Sequence, residues 1–175
     1  DEPANLTGYK TEVHELDAGI KDYGIIYKDN NVQVNAFTVN HGRLQSLAYK
    51  FITEDKTIVV SGDTCPVEIM KEKARDADIL LHECEYTKGL ETRSEQWQIY
   101  HRNVHTLSVD LAKLAIVAKP KLLVTYHRIY HMNVFDRSFD LKQEMEIRKQ
   151  AILEEIKDAG YNGKVINGED LDIFE

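Results

Sequence analysis

Between residues 23 and 61, hydrophobic and polar residues alternate, which is the pattern of β-strands with one buried face. Residues 32–39 (VQVNAFTV) show the alternation most clearly, and polar turn residues at 29–31 and 54–56 separate neighbouring segments. Strands joined by short polar turns usually pair with each other, so this part of the chain is expected to form antiparallel hairpins. The predicted strands are residues 25–27, 32–39, 47–52 and 57–61.

The pattern changes after Asp63, where helical segments alternate with short apolar runs. Pro66 suits the first turn of a helix, Pro120 ends a later helix, and Gly160 suits the position just after a helix C-terminus. Hairpins followed by alternating helices and strands indicate an α/β domain built on a mixed sheet. We predict helices at 66–74, 106–118 and 141–159, and strands at 79–81, 121–126, 165–166 and 171–174.

A length of 175 residues fits one ordinary domain, which we place at 23–175. Residues 1–22 show neither period and are expected to form an irregular lead-in. Cys65 and Cys84 are too few for a disulfide framework, so we predict two reduced thiols without a bond between them.

The charge balance excludes some classes of protein. Lys and Arg number 22 against 30 Asp and Glu, and the net charge of −8 argues against a general nucleic-acid coat or a polybasic membrane binder. No window approaches about 18 consecutive apolar residues, so no helix is expected to span a membrane. The compartment stays open, with the cytoplasm slightly favoured and export the alternative if a leader preceded Asp1.

Chemistry-bearing residues recur at the ends of the predicted strands and the starts of helices. A single histidine at a strand end is more often structural than a ligand, and one Gly-Asp-Thr is usually a turn. The ordered series favours a site, because ends of buried strands gather polar groups. Imidazole and carboxylate ligands from separate strands suit zinc, manganese or iron better than calcium or magnesium. The series is His41, Asp63, His82-Glu83, His105 and His127.

The remaining histidines carry less weight. His14 is expected to be a solvated residue of the lead-in, and His82 a structural or supporting residue. His101 precedes His105 by four residues, a spacing that can bind zinc on a helix, but the predicted helix begins only at residue 106. We therefore expect a role for His101 other than metal binding. His131 is expected to lie in a surface loop, with a place in the substrate pocket as the alternative.

The ordered series resembles the C-terminal half of a metallo-β-lactamase-fold hydrolase, in the branch that contains ribonuclease Z and arylsulfatase-like phosphodiesterases. His41 in Val-Asn-His-Gly, Asp63 in Ser-Gly-Asp-Thr and His127 in Thr-Tyr-His match family metal ligands. The segment 77–83, which ends in His-Glu, is similar to a motif of the ribonuclease Z branch, and His105-Thr106 is similar to the element that follows it.

The resemblance implies half of an αββα sandwich, with a mixed sheet and helices on its outer face. It also implies two divalent ions, with zinc preferred and manganese or iron as alternatives, in a hydrolase of phosphodiester or related phosphate or sulfate esters. Asp63 would bridge the ions, and His41 and His127 would each complete one or lie beside the bridge. His105 would act on the leaving group or bind the substrate, with Glu83 orienting its ring. The expected substrate is a small anionic ester or RNA.

One departure from the family pattern limits this implication. The signature His-x-His-x-Asp-His occurs nowhere in the chain. We therefore expect that the chain requires an N-terminal half, is inactive or weak without it, and associates either with that half or with itself. The alternative from another class is a non-catalytic binding or assembly domain that retains the fold.

Overall fold

The computed structural model describes residues 13–17, 19–132, 135, 138 and 140–174. Most of the predicted lead-in, namely residues 1–12 and 18, lies outside the described residues. The strands are β1 (Asp22–Lys28), β2 (Gln33–His41), β3 (Leu44–Ile52), β4 (Thr57–Val60), β5 (Ile79–Glu85), β6 (Leu122–Ile129) and β7 (Val165–Asn167). The helices are α1 (Glu68–Lys73), α2 (Thr87–Glu91), α3 (Glu95–Arg102), α4 (Ser108–Ala118) and α5 (Leu141–Asp158).

All seven strands form one mixed sheet, in which their spatial order is their order in the chain. Strands β1 to β4 pair antiparallel, as the short polar turns predicted. Strands β4 to β7 pair parallel, because helical connections return the chain to the same edge each time. The carboxyl ends of β4, β5 and β6 therefore meet at one edge of the sheet.

One face of this sheet carries the main core. Helices α1, α4 and α5 pack there, and their buried residues contact alternate residues of the strands, among them Leu80 and Leu123. A smaller apolar cluster lies on the opposite face around Ile79, Leu122 and Val124. The predicted α/β class, with a mixed sheet and helices on an outer face, is confirmed.

Several predicted boundaries hold because their physical signals are local. Helix α4 ends at Ala118, and the next residue, Lys119, adopts a left-handed conformation (φ 53°) directly before Pro120. Helix α5 is followed by Gly160 at φ 97°, as predicted for a residue just after a helix. Cys65 and Cys84 are both buried and free, which confirms the absence of a bond between them. Within the described part of the chain, no helix is long and apolar enough to cross a bilayer.

Two features of the sequence prediction are wrong. Residues 171–174 do not form a strand: Glu169 and Asp172 close a turn through two hydrogen bonds, and the apolar side chain of Leu171 points into solvent. Helices α2 and α3 were not predicted, because α2 has only five residues and α3 has eight, of which only His101 is buried.

A buried carboxylate connects three of the helices. Glu155 of α5 accepts hydrogen bonds from the backbone N–H groups of Thr87 and Lys88, each at 3.0 Å, at the start of α2. It also accepts a hydrogen bond from the hydroxyl of Ser108 at the start of α4. Backbone N–H groups at a helix N-terminus lack partners within the helix, so this side chain satisfies groups that would otherwise be buried without one.

We predict that Glu155→Ala lowers the free energy of unfolding by about 3 kcal/mol, since buried donors lose a charged acceptor. Urea denaturation measures the change. The neighbouring Glu154 is exposed and offers a matched control, for which Glu154→Ala should cost no more than about 0.5 kcal/mol. Equal losses from the two variants would contradict the capping role.

Candidate metal centre

The candidate site lies at the edge where the parallel strands end. Asp63 follows β4, Glu83 lies near the end of β5, and His127 lies near the end of β6. Pairing between β5 and β6 shifts here, so that Glu83 faces Tyr126 while the next residue of β5 faces Arg128. His127 is therefore left out of the pairing, and it adopts a left-handed conformation (φ 43°) with its side chain half-exposed.

Glu83 is the fully buried carboxylate of this site. Its Oε1 accepts hydrogen bonds from the backbone N–H of Thr64 at 2.9 Å and from Nδ1 of His105 at 3.1 Å. Its Oε2 is buried without a hydrogen-bond partner among the described residues. Burial raises the pKa of Glu83, and the hydrogen bond and charge of His105 only partly offset that effect.

His105 is fixed by the same contact. Burial lowers the pKa of His105, but the hydrogen bond to Glu83 and the negative charges of Glu83, Glu85 and Asp63 outweigh it, so the pKa is raised overall. A carboxylate can only accept, so Nδ1 carries the proton of this hydrogen bond. The other ring nitrogen, Nε2, is then the atom available to a ligand or a metal.

The donor atoms of Glu83, His105 and His127 all lie within 4.8 Å of one another. Asp63 adds a carboxylate whose Oδ1 is 3.4 Å from Nδ1 of His127. Imidazole and carboxylate groups suit zinc, manganese or iron. The buried Oε2 of Glu83 has no hydrogen-bond partner among the described residues, and a cation would supply one. This donor set therefore fits a divalent metal.

His41 reaches the same place from the antiparallel part of the sheet. Its ring lies 5.0 Å from the ring of His105, centre to centre, and its Nδ1 donates to the carbonyl oxygen of Val104 at 2.8 Å. A histidine whose one nitrogen donates to a carbonyl has its other nitrogen free to bind a metal. Five of the six residues of the ordered series thus gather at one edge of the sheet, and their individual roles stay predictions: His41, Asp63, Glu83, His105 and His127.

His82 and His14 lie outside this group. His82 is fully buried, burial lowers its pKa to about 4, and its Nδ1 donates to the carbonyl oxygen of Glu83 at 2.8 Å. Its imidazole is therefore neutral near pH 7, as expected of a structural residue. His14 lies on another surface, beside Gln45 and Tyr49.

A second group, which the sequence analysis missed, consists of Glu85, His101 and His131, whose donor atoms also lie within 4.8 Å of one another. His101 is buried on helix α3, which was not predicted. The expected surface loop at His131 is wrong for its side chain, which is only 4% exposed and donates a hydrogen bond to Glu85. The spacing of the sequence carried a signal for this group. Glu83 has a second glutamate two positions away, and His105 and His127 each have a second histidine four positions away.

Part of the chain is similar in sequence to known proteins. No family model matches the chain. It is 35% identical over 79 residues to a Ribonuclease Z of Ignicoccus hospitalis, a match that covers 45% of this chain and 24% of that protein. It is 33% identical over 72 residues to a Ribonuclease Z of Methanosarcina mazei, covering 41% and 22% respectively. The chain thus matches less than a quarter of the length of these relatives.

Solved structures give the fold. The metallo-β-lactamase fold protein YhfI from Bacillus subtilis superposes with a TM-score of 0.62 at 15% identity, covering 85% of this chain and 52% of that one. The short form of human tRNase Z superposes with a TM-score of 0.58 at 19% identity, covering 91% and 48%. The chain therefore corresponds to about half of each of these structures.

We predict that Glu83→Gln lowers the pKa of His105 below its ordinary value of 6.5. Burial lowers this pKa, and the variant removes the charge of Glu83 that raises it. Histidine chemical shifts of the metal-free protein, followed by NMR as pH changes, measure this. Since folding raises this pKa, the pair should stabilise the wild-type fold fully below the unfolded pKa and lose that contribution as pH rises through the folded pKa. The exposed Glu72→Gln is the matched control, and an unchanged pKa of His105 in Glu83→Gln would refute the pairing.

Proposed function

We propose that this chain, which has the metallo-β-lactamase fold and is ribonuclease Z-like over part of its sequence, is part of a metal-dependent hydrolase of phosphodiester bonds. The observation that carries the proposal is the buried Glu83–His105 pair within coordinating distance of His127. Similarity to two proteins named Ribonuclease Z supports the phosphodiester as the bond that is cleaved.

The residues proposed to hold the metals are His41, Asp63 and His127. Asp63 would bridge two ions, zinc being preferred and manganese or iron the alternatives, and each histidine would complete one of them. Glu83 and His105 lie close enough to His127 to serve as ligands instead. When bound, such ions lower the pKa of water and stabilise charge on the attacked centre.

His105 and Glu83 are proposed to handle the proton of the leaving group. Glu83 is held in place by the backbone N–H of Thr64, and it fixes the ring of His105 through Nδ1. The raised pKa of His105 favours its protonated form, so Nε2 can donate a proton to the departing oxygen. Glu83 stabilises the charged ring before the transfer and orients it throughout.

The substrate is proposed to be a small anionic ester, with RNA as the alternative. The net charge of −8 disfavours a long polyanion, whereas relatives named Ribonuclease Z favour RNA. Sulfate esters stay a prediction of the resemblance. A cleft of about 540 Å³ beside His101 and His131, lined also by Arg93 and Trp97, offers room for a small ester.

The missing His-x-His-x-Asp-His motif bears on what the chain can do by itself. Three proposed ligands are few for two ions, since a catalytic zinc usually takes three protein ligands of its own. We propose that an N-terminal half supplies the rest, and that the chain without it is weak or inactive and associates with that half or with itself. The same missing motif favours the second candidate function, a non-catalytic binding or assembly domain.

In the protein completed by its N-terminal half, we predict that His105→Ala lowers turnover 10²- to 10⁴-fold, roughly the range for loss of a general acid, on diesters with poor leaving groups. The loss should be smaller for nitrophenyl esters, whose leaving oxygen needs little protonation. Glu83→Gln should show a milder form of the same selectivity. Equal losses on both kinds of ester would assign His105 to binding or structure, and steady-state kinetics with metal analysis distinguishes these outcomes.

We predict that supplying the N-terminal half, in cis or in trans, fills this centre with about two metal ions per chain and gives diesterase activity. Asp63→Ala in that completed protein should lose the two ions of this centre together with the activity, because the carboxylate would contact both of them. Plasma emission spectrometry and a diesterase assay measure the two quantities, with the exposed Asp170→Ala as control. Full turnover by the 175-residue chain alone, or a completed protein that binds no metal, would contradict the proposal.

A further inference from the structure

Chemistry-bearing residues occur in three closely spaced pairs. Strand β5 carries Glu83 and Glu85, the α3 segment carries His101 and His105, and the segment from the end of β6 carries His127 and His131. One member of each pair belongs to the candidate metal centre. From the other three, Glu85, His101 and His131, we propose a second divalent-metal site beside the first.

The local geometry explains why the pairs separate into two groups. Residues two apart on a strand face the same way, so Glu83 and Glu85 lie on one face of β5. The backbone N–H of His105 donates to the carbonyl oxygen of His101 at 2.8 Å, which continues α3 by one helical turn and stacks the two rings 5.5 Å apart. The second group therefore follows the first along the same elements.

The carboxylate of Glu85 is the centre of this second group. It is fully buried, its Oε1 accepts a hydrogen bond from Nε2 of His131, and Nδ1 of His101 lies 2.9 Å from the same oxygen. Its Oε2 is buried and has no hydrogen-bond partner among the described residues. No lysine or arginine forms an ion pair with Glu85 in the described part of the chain. A divalent cation would satisfy this buried charge.

The donor set selects the kind of ion. Two imidazoles and one carboxylate are the protein ligands typical of a zinc or iron site with an open position, and they differ from the oxygen ligands of calcium and magnesium. His101 and His131 also line the cleft that Arg93, Trp97 and Met132 border, so a small ligand can approach them. We therefore assign the site to zinc or a similar ion with three protein ligands and an open fourth position.

The test uses the full-length protein, stripped of metal and then titrated with Zn²⁺ or Co²⁺. His131→Gln and Glu85→Gln should each remove one bound ion per chain, or raise its dissociation constant at least tenfold. His14→Gln is the matched control and should retain every ion. Asp63→Ala should retain the ion at Glu85, His101 and His131 even where it empties the first centre. Failure of the proposed function therefore leaves this result unaffected. Equilibrium dialysis with plasma emission spectrometry counts the ions.

A further variant covers the case in which those changes prevent folding. His131→Cys keeps a zinc ligand, so it should retain the ion and give a sulfur-to-cobalt charge-transfer band that the wild type lacks. Metal content unchanged in both Gln variants, an Asp63→Ala protein without any ion, or a His131→Cys protein without the new band would overturn the second site.

Discussion

Two carboxylates, Glu83 and Glu85, end a strand in the middle of the sheet, and both are fully buried. An ionised carboxylate in such a place costs several kcal/mol unless hydrogen bonds or opposite charges compensate it. Each of the two has an imidazole beside one oxygen, and each leaves its other oxygen without a partner among the described residues. The arrangement of the surrounding histidines follows from this requirement.

The parallel half of the sheet makes this compensation feasible. Strand β5 lies between β4 and β6, so residues at its carboxyl end are within reach of both neighbours and of the segment that enters α4. The irregular pairing at His127 turns a residue of β6 away from the regular ladder. Antiparallel strands supply only His41, which approaches from the β2–β3 hairpin. The fold thus concentrates ligand-type residues at one edge of the sheet, while helices α1, α4 and α5 cover one of its faces.

The sequence predicts those strands and helix ends that depend on local hydrophobic periodicity and on single turn residues. It does not predict structure that depends on contacts between distant residues. Alternation identified β2, and Pro120 and Gly160 marked helix ends, because these signals act within a few residues. The burial of His131 follows from its contact with Glu85, which lies 46 positions earlier in the chain. Nothing local to His131 distinguishes it from a loop residue. The apolar spacing at 171–174 is typical of a strand, yet a turn closed by Asp172 prevails there.

The two groups of ligand-type residues are close enough to influence each other's charge. The negative charge of Glu85, a member of the second group, contributes to the raised pKa of His105 in the first. Conversely, His105 and His131 both act to lower the pKa of His101, after burial as the main cause. A cation beside Glu85 would offset the charge that favours protonation of His105. Occupancy of one group would therefore alter the proton affinity of the other, since their rings are only 5.5 Å apart and partly shielded from water.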